Sequence, residues 1–225
     1  TNQSWTTYEL EASTGTNGSY GIIFTGAGSS YTHSTLNANT TYYYRVRAKN
    51  LDGEYTNYNT ERSTHTLAVT PNAIASFSGV WQSSVTISLG ADNNSAGTTY
   101  SVEASTGTNG SFGVIYSGNY QANVNHIGLN ANTTYYYRVR AQNFDDVWTS
   151  YTAERSTHTL AAVPGSLSFS VVGSSAVTIT WSDTNSAGTY YSVEASTGNN
   201  ASYGVIYAGN YVASRTHIGL NSNTT

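Results

Sequence analysis

The chain has 225 residues, of which 38% are hydrophobic and only 9% charged, with a net charge of −4, 20 Tyr, 21 Gly and no Cys. Eight Lys plus Arg leave no basic stripe for nucleic acid, and no apolar run approaches the roughly 20 residues of a membrane-spanning helix. Without Cys there is neither a disulfide framework nor thiolate chemistry, and a polar, weakly charged, thiol-free chain is expected to be extracellular or on a cell surface.

In chain order, the first strong signal is Leu36-Asn-Ala-Asn-Thr-Thr-Tyr-Tyr-Tyr-Arg-Val-Arg-Ala48. It alternates with period two: Tyr42, Tyr44, Val46 and Ala48 fall on one face, and Tyr43, Arg45, Arg47 and Lys49 on the other. That is the pattern of a half-buried strand. The same phrase returns unchanged at Leu129 to Ala141, about 93 residues on, and starts again at Leu220. Glu11-Ala-Ser-Thr-Gly15 likewise returns at Glu103 and Glu194, and Glu61-Arg-Ser-Thr-His-Thr-Leu-Ala68 at Glu154. A fixed period of this length marks a tandem array.

Pro71 and Pro164 follow matching strand ends, so the boundaries are expected there. The chain divides into a partial copy 1–70 lacking its N-terminal strands, a complete copy 71–163, and a partial copy 164–225 lacking its C-terminal strands. Such ends suggest an excerpt of a longer chain. Short connections predict a stiff rod. Tyr100, Val102 and Ala104 alternate with Ser101 and Glu103, and Val177, Ile179 and Trp181 with Thr178 and Thr180. About seven such runs per copy, separated by Gly, Asn and Ser, and no helical period, predict an all-β fold of antiparallel sandwiches.

Leu129, Thr133 and Tyr135 resemble the Leu-x-Pro-x-Thr-x-Tyr phrase of fibronectin type III domains, with Ala131 in place of proline. The opening prolines, Trp181, the Tyr100-x-Val pattern and Asn143 extend the resemblance over the whole chain. It implies tandem immunoglobulin-like sandwiches of an extracellular surface or filament protein, of bacterial type, in which Tyr42 and Tyr135 form tyrosine corners, the hydroxyl bonding back to the backbone. The chain departs from the pattern in lacking the corner proline at Ala38, Ala131 and Ser222, and in having Leu89 where the third copy has Trp181. No Arg-Gly-Asp triplet is present, so integrin binding is not implied.

Titratable residues recur instead of forming a unique constellation: His33, His126 and His217 are equivalent, as are His65 and His158. Groups a domain length apart cannot converge on one metal or substrate, so no enzyme, cofactor or metal is expected. The Glu11, Glu103 and Glu194 set faces outward by alternation. Asp92, Asp183, Asp145 and Asp146 supply calcium-type oxygens without the spacing of a calcium loop, and turn chemistry accounts for them equally well.

Asn-x-Ser/Thr at Asn39, Asn132 and Asn223, and again at Asn17, Asn109 and Asn200, marks glycosylation candidates on turns expected to be exposed, although turns of this kind use Asn and Thr in any case. Tyr8, Tyr44, Tyr100 and Tyr137 fall on inward faces. Trp5, Tyr43, Tyr58, Tyr136, Trp148 and Tyr151 point outward and are candidate interface aromatics. The expected function is a repeat segment of a long extracellular fibre, surface filament or adhesin, partnered by copies of itself, neighbouring repeats, or cell-surface glycans or proteins. The alternative is a spacer or carbohydrate-binding module of a secreted polysaccharide-degrading enzyme.

Overall fold

A computed structural model describes residues 3–16, 18–198 and 202–222. Every element in it is a strand. The first group is β1 (Thr7–Ser13), β2 (Gly21–Gly26), β3 (Thr41–Lys49) and β4 (Arg62–His65), joined in one antiparallel sheet ordered β2-β1-β3-β4.

The second group is β5 (Ile74–Val80), β6 (Ser84–Leu89), β7 (Thr99–Ser105), β8 (Gly113–Asn119), β9 (Asn123–Ile127), β10 (Thr134–Gln142) and β11 (Arg155–His158). These seven strands divide into a three-stranded sheet, β5-β6-β9, and a four-stranded sheet, β11-β10-β7-β8. The third group is β12 (Ser168–Val172), β13 (Ala176–Thr180), β14 (Tyr190–Ala195), β15 (Gly204–Asn210) and β16 (Ser214–Ile218), in sheets β12-β13-β16 and β14-β15. The architecture is a tandem of immunoglobulin-like antiparallel sandwiches with the strand order of fibronectin type III domains.

The period-two pattern accounts for β10 directly. Its residues alternate between buried and half-buried along the whole strand, with Tyr135, Tyr137, Val139 and Ala141 inward. They meet Ile74, Val85, Ile87 and Leu89 of the opposite sheet, with Tyr100, Val102, Val124 and Leu129 completing the core. Each fully buried side chain of this size contributes about 1.5–3 kcal/mol. Leu89 is buried as its counterpart Trp181 is, the latter against Tyr207 and Tyr211.

The identical residues of β3 behave differently. Tyr8, Tyr44, Val46 and Ala48 turn to the same inner face as their counterparts but are only half-buried. Among the described residues no three-stranded sheet covers that face. For the same reason residues 30–34, which match β9, form no strand: β9 is held by β6, and the described residues of the first copy supply no strand in that place.

Candidate functional site

Two clusters recur from copy to copy. One lies where copies meet and the other on the outer face of the four-stranded sheets.

The turn before β3 places Asn39 at φ 44°, a left-handed conformation that Asn tolerates better than other side chains. Its backbone N–H donates to the Leu67 carbonyl at 3.0 Å, so the side chain is sent into the following copy. There Nδ2 donates to Thr98 Oγ1 at 2.7 Å, and Oδ1 accepts the Phe144 N–H at 2.9 Å. The Ser95 hydroxyl donates to the Asn39 carbonyl. Asn39 is 0% exposed.

The following copy reaches back with Asn94, whose Oδ1 accepts the Val69 N–H at 2.8 Å and whose Nδ2 donates to the Val69 carbonyl at 2.9 Å. Asp92 aims that side chain: it accepts the Asn94 N–H at 3.0 Å and the Tyr100 hydroxyl at 2.8 Å. Burial, then this bond, push the Tyr100 hydroxyl well above its ordinary pKa. His65 Nδ1 meets Asp145 Oδ1 at 2.8 Å, and its ring stands edge-on to Phe144.

The next joint repeats the scheme. Asn132, at φ 48°, donates its N–H to the Leu160 carbonyl at 3.0 Å and its Nδ2 to Thr189 Oγ1 at 2.7 Å. Asn185 clasps Ala162 through N–H and carbonyl at 2.6 and 3.0 Å, and Asp183 holds Asn185 and Tyr191. Of the aspartates considered as calcium ligands, Asp92, Asp145 and Asp183 therefore organise the joints.

Asn39 corrects the expectation of an exposed glycosylation turn. The atom that would carry a glycan is the buried donor to Thr98, and the equivalent atom of Asn132 is bonded to Thr189 in a half-buried position. Asn109 is exposed, at φ 51°. Asn17, Asn200 and Asn223 lie outside the described residues.

On the outer face, Glu9 and Glu11 of β1 stand opposite Arg47 and Arg45 of β3. Glu11 accepts from Arg45 Nε and Nη2 at 2.8 and 2.7 Å and from the Tyr58 hydroxyl at 2.6 Å. Glu9 accepts from Arg47 Nε at 2.7 Å and from the hydroxyls of Tyr55 and Tyr58 at 3.3 Å. The guanidinium carbons lie over aromatic rings in the order Tyr20, Arg45, Tyr58, Arg47, Tyr55, with separations of 3.9–4.6 Å. The middle copy repeats the stack as Phe112, Arg138, Tyr151, Arg140, Trp148. Its Glu103 accepts from Arg138 Nε and Nη2 at 3.0 and 2.8 Å and from the Tyr151 hydroxyl at 2.6 Å.

Alternation thus assigns Glu11 and Glu103 to the outer face, but they are not in solvent: they are 7% and 4% exposed. The segment after β3 runs back along the edge of that strand, with Thr56 and Asn59 N–H donating to the Ala48 and Val46 carbonyls, and lays its tyrosine rings over the charges. Burial raises the Glu11 pKa, but the Tyr58 hydroxyl and the Arg45 and Arg47 charges outweigh it and leave the carboxyl below its ordinary value. Burial and the same bond push Tyr58 up to about 12.

The second copy carries one gap. Ser101 occupies the place of Glu9: Arg140 Nη2 reaches Glu103 Oε1 at 3.6 Å, but its buried Nε has no partner among the described residues.

Of the outward aromatics, Tyr58, Tyr151 and Trp148 are engaged in these stacks. Tyr43 and Tyr136 are half-buried beside them, and Trp5 is 56% exposed. The Tyr42 and Tyr135 hydroxyls accept the Asn37 and Asn130 N–H groups, both at 3.0 Å, the closure that defines a tyrosine corner. His33 and His126 are half-buried, each edge-on to two tyrosines, and burial lowers the His126 pKa.

Neither a family model nor a curated protein matches the sequence. Among solved structures, the FN1–FN3 domains of chicken CNTN1 are similar over 96% of this chain and 80% of that one, at 17% identity and a TM-score of 0.40. The fold assignment rests on the strand order and core described above.

Both clusters left traces in the sequence. Glu-x-Glu in β1 and Arg-x-Arg in β3 share one parity, which pairs them across strands once the strands are neighbours. The joint is signalled by an Asn at a turn in every copy and by Asp two residues before a second Asn.

Proposed function

We propose that the chain is a non-catalytic structural segment of a long extracellular fibre, surface filament or adhesin. The observation that carries this reading is the joint: Asn39 is fully buried in the next copy, and Asn132 makes the same bond to Thr189. A buried carboxamide with both ends bonded holds its neighbour in one orientation, because each lost bond leaves a buried group unpaired at about 1–3 kcal/mol. Copies held in this way transmit length and direction, as a strut does.

The recurring titratable groups support the same reading. Glu9, Glu11 and Glu103 are bonded to Arg and Tyr, Asp92 and Asp183 hold joint loops, and His33 and His126 pack on tyrosines, so their chemistry is spent on structure.

Small-angle scattering from the dilute chain tests the proposal. A stiff array gives a rod profile with a maximum dimension growing by roughly 30 Å per copy, the length of a strand of seven or eight residues with its turns. A compact particle, or a distribution of bent shapes, would overturn it.

A further inference from the structure

The strands β2, β8 and β15 occupy the same place in their copies, at the edge of the sheet beyond β1, β7 and β14. Their sequences, GIIFTG, GVIYSGN and GVIYAGN, contain no charged residue and no proline, two of the devices by which exposed edges are normally guarded. The opposite edges, β4 and β11, carry Arg62 and Arg155. Each of the three uncharged edges presents an aliphatic side chain to solvent at the same position: Ile22 at 59% exposure, Val114 at 60% and Val205 at 60%. The residue changes between copies while its aliphatic character does not.

Pairing to the inner strand skips one residue beside each of these side chains, Ile23, Ile115 or Ile206. Such a bulge interrupts the backbone ladder. The contact offered is apolar side-chain packing, not addition of a strand.

We infer that these edges are the lateral surface along which a second copy of this chain packs. The inference rests on the fibre reading, and area identifies the occupant. One edge is about 20 Å long and about 10 Å across, or about 200 Å² per partner. A stable specific interface needs about 600 Å² per partner, which three edges reach only when engaged together. The partner must therefore repeat at the same spacing, as a second copy of the chain does. Once one edge is docked, the others bind at high effective concentration.

Sedimentation velocity over a concentration series tests this with the whole chain and the variant I22K/V114K/V205K. The expected result is self-association of the wild type, undiminished by added salt and strengthened by sulfate, and its loss in the variant with the thermal transition unchanged. If the lysine variant does not fold, I22T/V114T/V205T is used, with at least a tenfold weaker association expected. A wild type that stays monomeric at millimolar concentration, or variants that associate as before, overturns the lateral surface. The rod profile at low concentration is unaffected by either outcome, so failure of the fibre reading shows separately.

Discussion

Asn39 Nδ2 and Thr98 Oγ1, 59 positions apart in sequence, lie 2.7 Å apart across one joint, and Asn132 and Thr189 repeat that bond at the same length across the next. The turn conformation, the buried carboxamide and the receiving threonine form one unit that is copied with the domain.

Replacing that residue separates its two contributions. Asn39→Gly keeps the left-handed backbone but leaves the Phe144 N–H without its acceptor, while the Thr98 hydroxyl keeps its bond to the Ser95 carbonyl at 2.7 Å and loses only the Nδ2 donor; a loss of about 1–3 kcal/mol at the joint is expected. Asn39→Ala adds backbone strain of about 1 kcal/mol. Hydrogen exchange at the Phe144 amide reads both, and the scattering profile should change from rod to hinged particle.

The Glu11 and Tyr58 pair predicts a stability plateau bounded on both sides. Glu11 has a folded pKa below its ordinary 4.5, so its contribution is complete above that value and is lost as pH falls through the lower folded value. Tyr58, raised from 10.0 to about 12, contributes fully below pH 10 and loses that contribution as pH rises through about 12. Urea midpoints measured across pH should fall at both ends. Glu11→Gln should remove the acid-side dependence attributed to this carboxyl, and Tyr58→Phe the alkaline one.

Arg140 offers a gain. Ser101→Glu places a carboxylate opposite it, as Glu9 stands opposite Arg47 in the first copy. A rise of about 1 kcal/mol is expected from satisfying the buried Nε, seen calorimetrically as about 4–8 °C in the middle copy's transition.

Tyr135→Phe removes the acceptor of the Asn130 N–H while leaving the ring in place. The expected cost is about 1 kcal/mol, read as a lower denaturation midpoint with unchanged slope.

The repeat, the strands and their faces were legible in the sequence because alternation and turn chemistry are local: the burial of Tyr135, Tyr137 and Val139 follows from period two alone. The burial of Glu11 and Glu103 was not, although Glu194 is exposed as its alternation implies. Parity places Glu11 outside the sandwich, but its burial depends on residues 55–58 running back along the edge of β3 and laying their rings over its outer face, a tertiary event with no periodic signature. Asn39 was misread for a related reason. An Asn-x-Thr turn has the same letters whether it faces solvent or a neighbouring copy, and only the neighbour's loop, fixed by Asp92, distinguishes the two.

The stacked arginines also govern what the protein presents to its surroundings. Arg45, Arg47, Arg138 and Arg140 are half of the eight basic residues in the chain, and each is paired with a carboxylate and lies over aromatic rings. The outer faces are thus electrically quiet, with hydroxyls and carboxamides supplying hydration in place of mobile charge. The long-range repulsion that keeps most soluble proteins apart is weak here, so molecules approach one another with little electrostatic barrier, in fresh water and in brine alike.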